Sequence, residues 1–181
     1  MKILWLGPDN PLIKWLRDQG DDVRVTTDPI TPDDVRPVDW VVSYGYRHII
    51  GKDIMKANRN IINCHIGYLP YNRGADPNLW SWIDDTPRGV TIHYVDEGLD
   101  TGPILAQGLV KLWEDETLAT SYDKLHTILQ ELFRAYWHNI VAGDIVPRVQ
   151  RGKGSYHRLA DRPPLPQGWD TPVCQLIKSN T

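Results

Sequence analysis

The sequence predicts an α/β fold with a mostly parallel central sheet and helices on both of its faces. Short apolar runs of strand length alternate with amphipathic stretches over residues 2–64. No run of about 18 apolar residues occurs, which argues against a membrane-spanning helix. A chain of 181 residues can also bury one hydrophobic core without disulfide cross-links. These observations together favour a single α/β layer structure.

The N-terminal half predicts the order strand, helix, strand, strand, helix, strand. Lys2–Leu6 is an apolar run that ends at Gly7, and apolar residues with helical spacing follow at 12–16. The next predicted elements are the strands Asp22–Thr26 and Val38–Ser43, the helix Gly51–Ala57 and the strand Asn60–Cys64. Strands that alternate with helices at this spacing pair in parallel through crossover helices.

The middle of the chain begins with a turn-rich loop over 66–76. Asp76 and Pro77 suit the N-cap and first position of a helix over Asn78–Asp84. Two strands are predicted next, Gly89–Val95 and Pro103–Leu112, on either side of a tight loop over Asp96–Gly102.

A long helix is predicted to end near Ala142, where Gly143 closes it. Its start is assigned to a capping-box pattern over Thr120–Asp123. Apolar residues at spacings of three and four predict one buried stripe, formed by Tyr122, Leu125, Leu129, Leu132, Tyr136 and Ile140.

The overall composition excludes several classes of function. The formal net charge is −3, and no block of five or more Lys and Arg residues occurs, so we expect no nucleic-acid partner. The N-terminus lacks a secretory signal, and the two cysteines form no CxxC pair. We therefore expect a cytoplasmic protein that binds small molecules and no membrane.

Residues 1–150 are predicted to form one domain, and 151–181 an extended tail rich in proline and glycine. The tail is expected to pack on the domain or on a partner. A homodimer and an intramolecular tail fit this pattern equally well.

Three polar residues are candidates for catalysis. Asn63 and His65 end a predicted strand, and because they are two residues apart their side chains point the same way. Asp100 follows in a later loop. An amide donor, an imidazole and a carboxylate are the groups that a carbonyl-transfer site requires. Two alternatives stay open at this point: a structural histidine, or a metal site made of His65, His93 and Asp100.

Two segments carry a resemblance to a known family. Asn63-Cys-His65-Ile-Gly-Tyr-Leu-Pro70-Tyr-Asn-Arg73-Gly74 resembles the N-x-H…L-P-x-x-R-G segment of the folate-dependent formyltransferases. The stretch from Gly89 to Ile104 is similar to that family's second signature. The resemblance covers about 59–107 and implies a Rossmann-like formyltransferase fold, with 1–150 as the catalytic domain.

The resemblance implies an activity and roles for the three candidates. These enzymes transfer the formyl group of N10-formyltetrahydrofolate to a primary amine without a metal. Asn63, His65 and Asp100 take the positions of the family's triad. Asn63 and a protonated His65 are then expected to hydrogen-bond the formyl oxygen as negative charge develops there. Asp100 is expected to favour the imidazolium and to relay a proton.

The resemblance also implies two binding regions. The folate pocket is expected on the loops that contain Tyr46, Arg47, His48, Ile49, Val95, Asp96, Glu97 and Gly98. The acceptor is expected to contact Gly7, Asp9, Asn10, Arg73, Asp76 and Trp80. His93 is expected to support the site and not to react.

The segment 69–82 resembles the enzymes that formylate nucleotide-linked amino sugars more than other members. Phosphoribosylglycinamide formyltransferase activity is the alternative, but Pro8 and Pro11 remove backbone donors from the turn that would hold its phosphate, and Asp9 repels it. A methionyl-tRNA acceptor is disfavoured by the negative charge. A catalytically idle folate-binding protein is the alternative of a different class.

Overall fold

The computed structural model describes residues 1–177, in which a six-stranded sheet has the order β2-β1-β3-β4-β6-β7. Its strands are β1 (Lys2–Leu6), β2 (Asp22–Thr26), β3 (Trp40–Tyr44), β4 (Ile61–His65), β6 (Gly89–Tyr94) and β7 (Ile104–Leu109). Two further strands of two residues each, β5 (Arg73–Gly74) and β8 (Tyr156–His157), pair with each other outside this sheet.

Strands β1 to β4 pair in parallel, whereas β4–β6 and β6–β7 pair antiparallel. This confirms the predicted mostly parallel sheet. The antiparallel direction of β6 has one consequence for Asp100. The loop that follows β6 starts at the opposite end of the sheet from His65, since Tyr94 pairs with Ile62 and Thr91 pairs with His65. The loop must therefore fold back along the sheet to bring Asp100 to the end of β4.

Within residues 1–177, five α-helices surround the sheet: α1 (Pro11–Asp18), α2 (Pro32–Val35), α3 (Lys52–Ala57), α4 (Pro77–Ile83) and α5 (Leu118–Ala142). On one face α1 and α5 pack against alternate residues of the central strands, such as Trp5 and Val42. On the other face α2 and α3 pack against the residues between them, such as Leu4 and Val41. The two apolar clusters explain why the strands are buried on both sides.

The long helix differs from the prediction at its start. Thr117 is the N-cap: its hydroxyl accepts a hydrogen bond from the Thr120 amide at 3.2 Å, and the Thr120 hydroxyl accepts one from the Thr117 amide at 2.9 Å. The cap predicted at Thr120 is therefore wrong by one turn. The buried stripe shifts with it and contains Leu118, Ser121, Leu125, Leu129, Phe133, Trp137 and Ile140.

Tyr122 and Tyr136, which were predicted to be buried, are instead exposed on the side of that stripe.

Three smaller differences concern other elements. Helix α2 was not predicted, β3 begins at Trp40, and β7 ends at Leu109, so both of those strands are shorter than expected. Gly143 closes α5 with a left-handed backbone, as predicted.

The predicted tail packs on the loop that precedes α4. Strand β8 pairs in parallel with β5, so that Arg73 lies beside Tyr156 and Gly74 beside His157. The Ser155 hydroxyl accepts a hydrogen bond from the Asn72 amide at 2.8 Å. The part of the tail at 178–181 lies outside the described residues. Among the described helices, none has the length and apolar character that a membrane crossing requires.

Candidate active site

Strand β4 positions two of the three candidate residues. Asn63 and His65 point to the face of the sheet that carries α3, because they alternate with Ile62 and Cys64, which pack under α1 and α5. The Cys64 thiol is buried among apolar side chains, and this burial raises its pKa well above the ordinary range. Cys64 is therefore a core residue with no thiolate to offer.

Asp100 lies against both residues. Its Oδ1 accepts a hydrogen bond from Asn63 Nδ2 at 3.1 Å, and its Oδ2 lies 3.7 Å from His65 Nδ1. The backbone amide of Gly74 donates to Oδ2 at 2.8 Å. The structure thus brings an amide, an imidazole and a carboxylate from distant parts of the chain into one cluster.

The backbone around this cluster is unusual. Four non-glycine residues in the described part of the chain have positive φ, and three of them lie here: Asn72, Asp76 and Asp100, with φ of 56°, 50° and 52°. Asn and Asp tolerate the left-handed region better than other residues with a side chain, but the conformation still costs energy and concentrates at functional sites. We expect this strain to be maintained because it aims the Asp100 carboxylate at β4.

His65 differs from the sequence expectation in its charge. Its Nε2 lies 3.1 Å from the Asn72 carbonyl oxygen, which can only accept, so Nε2 carries the proton. Burial lowers the pKa of His65 below its ordinary value of 6.5, and the attraction of Asp100 only partly opposes this effect. The imidazolium expected from the sequence is therefore not the resting form. At neutral pH, Nδ1 is an unprotonated base that faces Asp100.

Asp100 remains a carboxylate. Burial alone would raise the pKa of its carboxyl group, but the charge that His65 carries when it is protonated, the side chain of His93 and the amide of Gly74 outweigh burial and lower this pKa below its ordinary range. The site therefore pairs a charged acceptor with a neutral base.

His93 occupies the position opposite Asn63 on the neighbouring strand. Its Nδ1 lies 2.7 Å from the Tyr94 carbonyl oxygen, and its Nε2 lies 3.3 Å from Asn63 Nδ2 and 3.5 Å from Asp100 Oδ1. With one nitrogen held by the backbone, His93 is placed to orient Asn63 and Asp100. Among the described residues, no group of three or more His, Cys, Asp or Glu side chains has the arrangement of a metal site.

Sequence reasoning missed Gln150, which connects the candidate loop to the tail. Its Oε1 accepts two hydrogen bonds from the Arg73 guanidinium, at 2.7 and 3.1 Å. Its Nε2 donates to the backbone oxygens of Asp100 and Gly102, at 2.8 and 2.9 Å. A lone glutamine 50 residues from Asp100 gives no signal in a sequence, because neither its type nor its spacing indicates chemistry.

We expect Gln150→Ala to lower kcat about 10-fold, since it removes two hydrogen bonds that hold the Asp100 loop, each worth about 1 kcal/mol. Gln150→Glu is the sharper variant. It keeps an acceptor for Arg73 but replaces the donor to the two carbonyl oxygens with a second acceptor. Steady-state kinetics should show Gln150→Glu to be at least as impaired as Gln150→Ala. Wild-type kcat in Gln150→Glu would mean that the Arg73 contact alone matters.

The tightness of the Asp100 loop gives another prediction. A β-carbon at Gly102 would overlap the Tyr94 carbonyl oxygen, whereas one at Gly108, in the strand that follows, would meet no atom within 4 Å. We expect Gly102→Ala to destabilise the fold by about 1–3 kcal/mol and to displace Asp100, with a loss of activity. Urea unfolding and kinetics of Gly102→Ala and Gly108→Ala test this, and equal effects of the two changes would contradict it.

The residues predicted to hold folate lie on two neighbouring loops. Lys52 at the start of α3 and Glu97 form an ion pair at 2.6 Å that joins these loops. The Ile49 side chain is 88% exposed and that of Leu99 50%, so the loops present apolar surface. Among the backbone hydrogen bonds of the described residues, none involves the amides of 47–49.

The other residues of this predicted pocket are placed as follows. The Tyr46 hydroxyl donates to the Asp28 carbonyl oxygen at 2.7 Å, and its ring contacts His48 edge to face. Val95 packs on the cluster under α2 and α3. Asp96 accepts hydrogen bonds from the Gly98 amide and the Thr101 hydroxyl and so shapes the loop. Free backbone amides beside exposed apolar side chains suit a flat ring with an amide-like edge.

The residues predicted to contact the acceptor divide into two groups. After β1, Gly7 has φ of 134°, a conformation that favours glycine, and the Asn10 side chain caps α1 by accepting from the Leu12 amide at 3.0 Å. Asp9 is exposed beside them. The Gly7 amide donates to the Thr26 carbonyl oxygen at 3.0 Å, so this amide and the Asn10 side-chain oxygen are both engaged in hydrogen bonds within the fold.

The second group contacts the tail. Arg73 binds Gln150, the Asp76 carboxylate lies 2.9 Å from Arg162 Nε, and the Trp80 ring stacks on His157 with centroids 3.9 Å apart. Asp76 begins α4 as predicted, but its positive φ turns the side chain away from the helix amides towards Arg162. Tail residues thus form part of the surface around these three positions.

Comparisons with known proteins show which family the chain resembles. Residues 33–135 match the family described as formyl transferase. The chain is 36% identical over 118 residues to the methionyl-tRNA formyltransferase of Myxococcus xanthus (strain DK1622) and 37% identical over 118 residues to the phosphoribosylglycinamide formyltransferase of Bacillus subtilis (strain 168). Each match covers 64% of this chain, but only 38% and 58% of those curated relatives.

The chain is similar to one solved structure over nearly the whole length of both proteins. The formyltransferase PseJ from Anoxybacillus kamchatkensis, in complex with UDP-4,6-dideoxy-4-formamido-L-AltNAc and tetrahydrofolate, superposes with a TM-score of 0.91 at 46% identity. The match covers 98% of both chains, and it therefore includes the tail that contacts Arg73, Asp76 and Trp80.

Proposed function

The chain belongs to the formyl transferase family, and on that premise we propose that it transfers the formyl group of N10-formyltetrahydrofolate to the amine of a UDP-linked 4-amino-4,6-dideoxy sugar. Family membership confirms the resemblance carried by the segments that begin at Asn63 and Gly89. The observation that carries the proposal is the convergence of Asn63, His65 and Asp100 at hydrogen-bond or ion-pair distance.

The choice of acceptor follows from the similarity to PseJ, which is high in identity and complete in coverage. The methionyl-tRNA formyltransferase named above is matched over only 38% of its length. In this chain the turn after β1 also contains Pro8, Asp9 and Pro11, which disfavour a ribose phosphate there. A sugar nucleotide fits these facts better than a ribonucleotide amine or a tRNA.

N10-formyltetrahydrofolate supplies the formyl carbon that the amine attacks and retains N10 when the C–N bond breaks. The residues of the chain handle charge and protons around that exchange. In the resting site the two Asn63 Nδ2 hydrogens are directed at Asp100 Oδ1 and His93 Nε2. One of these two hydrogen bonds is exchanged for a bond to the formyl oxygen as negative charge develops on that oxygen, and the other holds the amide in place.

His65 transfers the proton. The acceptor reacts as a neutral amine, after its ammonium form has released one proton to bulk water. His65 Nδ1, unprotonated in the resting protein, accepts a second proton from the amine nitrogen once that nitrogen has bonded to carbon. The nearby Asp100 carboxylate stabilises the resulting imidazolium. The imidazolium then returns the proton to N10, which leaves poorly unless it is protonated.

The direct test is to incubate the protein with N10-formyltetrahydrofolate and three acceptors: a UDP-linked 4-amino-4,6-dideoxy sugar, its dTDP-linked counterpart and glycinamide ribonucleotide. We expect tetrahydrofolate to form in the presence of the UDP-sugar, with the formyl group on the sugar amine by mass spectrometry. Turnover only with glycinamide ribonucleotide would favour the purine-pathway activity. Folate binding without turnover on any amine would favour the idle folate-binding protein.

A further inference from the structure

Two exposed aromatic rings and an arginine lie side by side next to the candidate active site. The Tyr122 ring on α5 and the Trp169 ring in the tail have centroids 6.0 Å apart. The Arg162 guanidinium lies 5.9 Å from the centre of the Trp169 ring. Tyr122 is 39% exposed and Trp169 38%, so each ring leaves part of its surface open. We call Tyr122, Trp169 and Arg162 the aromatic shelf.

The shelf is joined to the catalytic cluster through Asp76. The Asp76 carboxylate lies 2.9 Å from Arg162 Nε. Asp76 follows Gly74 by two residues, and the Gly74 amide binds Asp100 at 2.8 Å. Two residues of chain span at most about 7 Å, so Asp76 lies within that distance of the Gly74 backbone.

The shelf also lies near the start of the first predicted folate loop. The Tyr122 and His126 rings have centroids 4.2 Å apart, and His126 Nδ1 lies 2.7 Å from the Tyr44 hydroxyl. Tyr44 ends β3, two residues before Tyr46 of that loop. The shelf borders the space between the folate loop and the segment that supports Asp100.

This position matches the shape of the proposed acceptor. In a pyranose, the amine on C4 and the oxygen on C1 lie on opposite sides of the ring. When the amine is at Asp100, the diphosphate on C1 lies about one sugar ring away. We propose that the aromatic shelf is the nucleotide subsite, in which Arg162 binds the diphosphate, the Trp169 ring stacks with the uracil ring, and the Tyr122 ring, tilted 51° from that of Trp169, contacts the edge of the base. This inference rests on the proposed function.

The fold itself does not need the exposed rings. The tail is held near the shelf by the backbone: Leu118 donates to the Thr171 carbonyl oxygen at 3.1 Å, and Val173 donates to the Glu116 carbonyl oxygen at 2.9 Å. The Val173 side chain is fully buried in the cluster with Leu79 and Trp82. These anchors leave the Trp169 ring available to a ligand.

The test uses UDP alone as the probe, measured by isothermal titration calorimetry with the full-length protein. We expect Trp169→Ala and Arg162→Ala each to weaken UDP binding about tenfold or more, the scale of a lost base stack or a lost phosphate contact. Trp169→Phe should restore part of the affinity because it keeps a ring. The matched controls are Trp113→Ala and Lys111→Ala. Lys111 lies 4.1 Å over the exposed Trp113 ring, so these two residues form a second pair of a cation and an exposed tryptophan, outside the shelf.

Steady-state kinetics supply the second readout. With the UDP-linked amino sugar, Trp169→Ala and Arg162→Ala should raise the KM for the sugar nucleotide and leave the KM for N10-formyltetrahydrofolate unchanged. An active wild-type enzyme whose shelf variants bind UDP as tightly as wild type would overturn the subsite but not the formyl transfer. If the wild-type protein formylates other amines but no UDP-linked sugar, both the proposed acceptor and the proposed nucleotide subsite are wrong.

Discussion

Replacing Asp100 by Asn is expected to lower kcat by at least about 100-fold, the scale of a lost general acid–base group. The substitution keeps one oxygen that can accept a hydrogen bond but removes the charge that stabilises the His65 imidazolium across 3.7 Å. It also introduces an amide group, which cannot accept from both Asn63 and Gly74. The measurement is kcat under saturation with both substrates.

Asp144→Asn is the matched control, because Asp144 is exposed after α5 and its replacement makes the same change in net charge. We expect wild-type kcat in that variant. Thermal unfolding of Asp100→Asn should show a folded protein, so that the loss is chemical. Near-normal turnover in a folded Asp100→Asn enzyme would remove Asp100 from the mechanism.

His65→Gln is expected to lower kcat by a similar factor of about 100. A glutamine amide can still donate to the Asn72 carbonyl oxygen, as Nε2 does, but it cannot accept a proton from the amine. His138→Gln provides the control, since His138 is exposed on α5.

The pH dependence distinguishes a neutral His65 from a protonated one. The pKa of His65 is lowered below 6.5 by burial, so the unprotonated form dominates at neutral pH. We expect the imidazole signals of His65, followed by NMR in the free protein, to titrate below pH 6.5, a readout that the ionisation of the acceptor amine does not affect. A midpoint above pH 6.5 would show instead that the attraction of Asp100 outweighs burial.

The same shift links pH to stability. Between the lowered folded pKa and the unfolded value of 6.5, the unfolded chain binds more protons than the folded one. The free energy of unfolding therefore decreases as pH falls through this window, and the contribution of His65 is complete above pH 6.5. In His65→Gln this contribution disappears, so urea unfolding should depend less on pH in the variant.

Some of the site could be predicted because it depends on local rules. Asn63 and His65 share a face through the two-residue period of a strand, which the sequence shows directly. The parallel order of β1 to β4 follows from strands that alternate with helices. The position of Asp100 came from the family resemblance, since no local rule brings a loop back along an antiparallel strand.

Other features depend on choices that only packing decides. Thr117 and Thr120 can each cap a helix, and the cap lies at Thr117 because this places Leu118 and Phe133 in the core. The charge of His65 depends on the balance between burial and one ion pair, and a sequence contains neither quantity. Gln150 and β8 reach the site through contacts with 72–75 and Asp100, which no spacing rule predicts.

The pairing of β5 with β8 has a consequence for the synthesis of the protein. All six strands of the main sheet are translated by Leu109, but the segment at 73–76, whose Gly74 amide binds Asp100, takes further partners from Gln150, His157 and Arg162. A chain translated only as far as Ala142 contains all six strands and α5 but lacks these partners. Catalytic competence therefore arises late in translation, well after the central sheet can assemble.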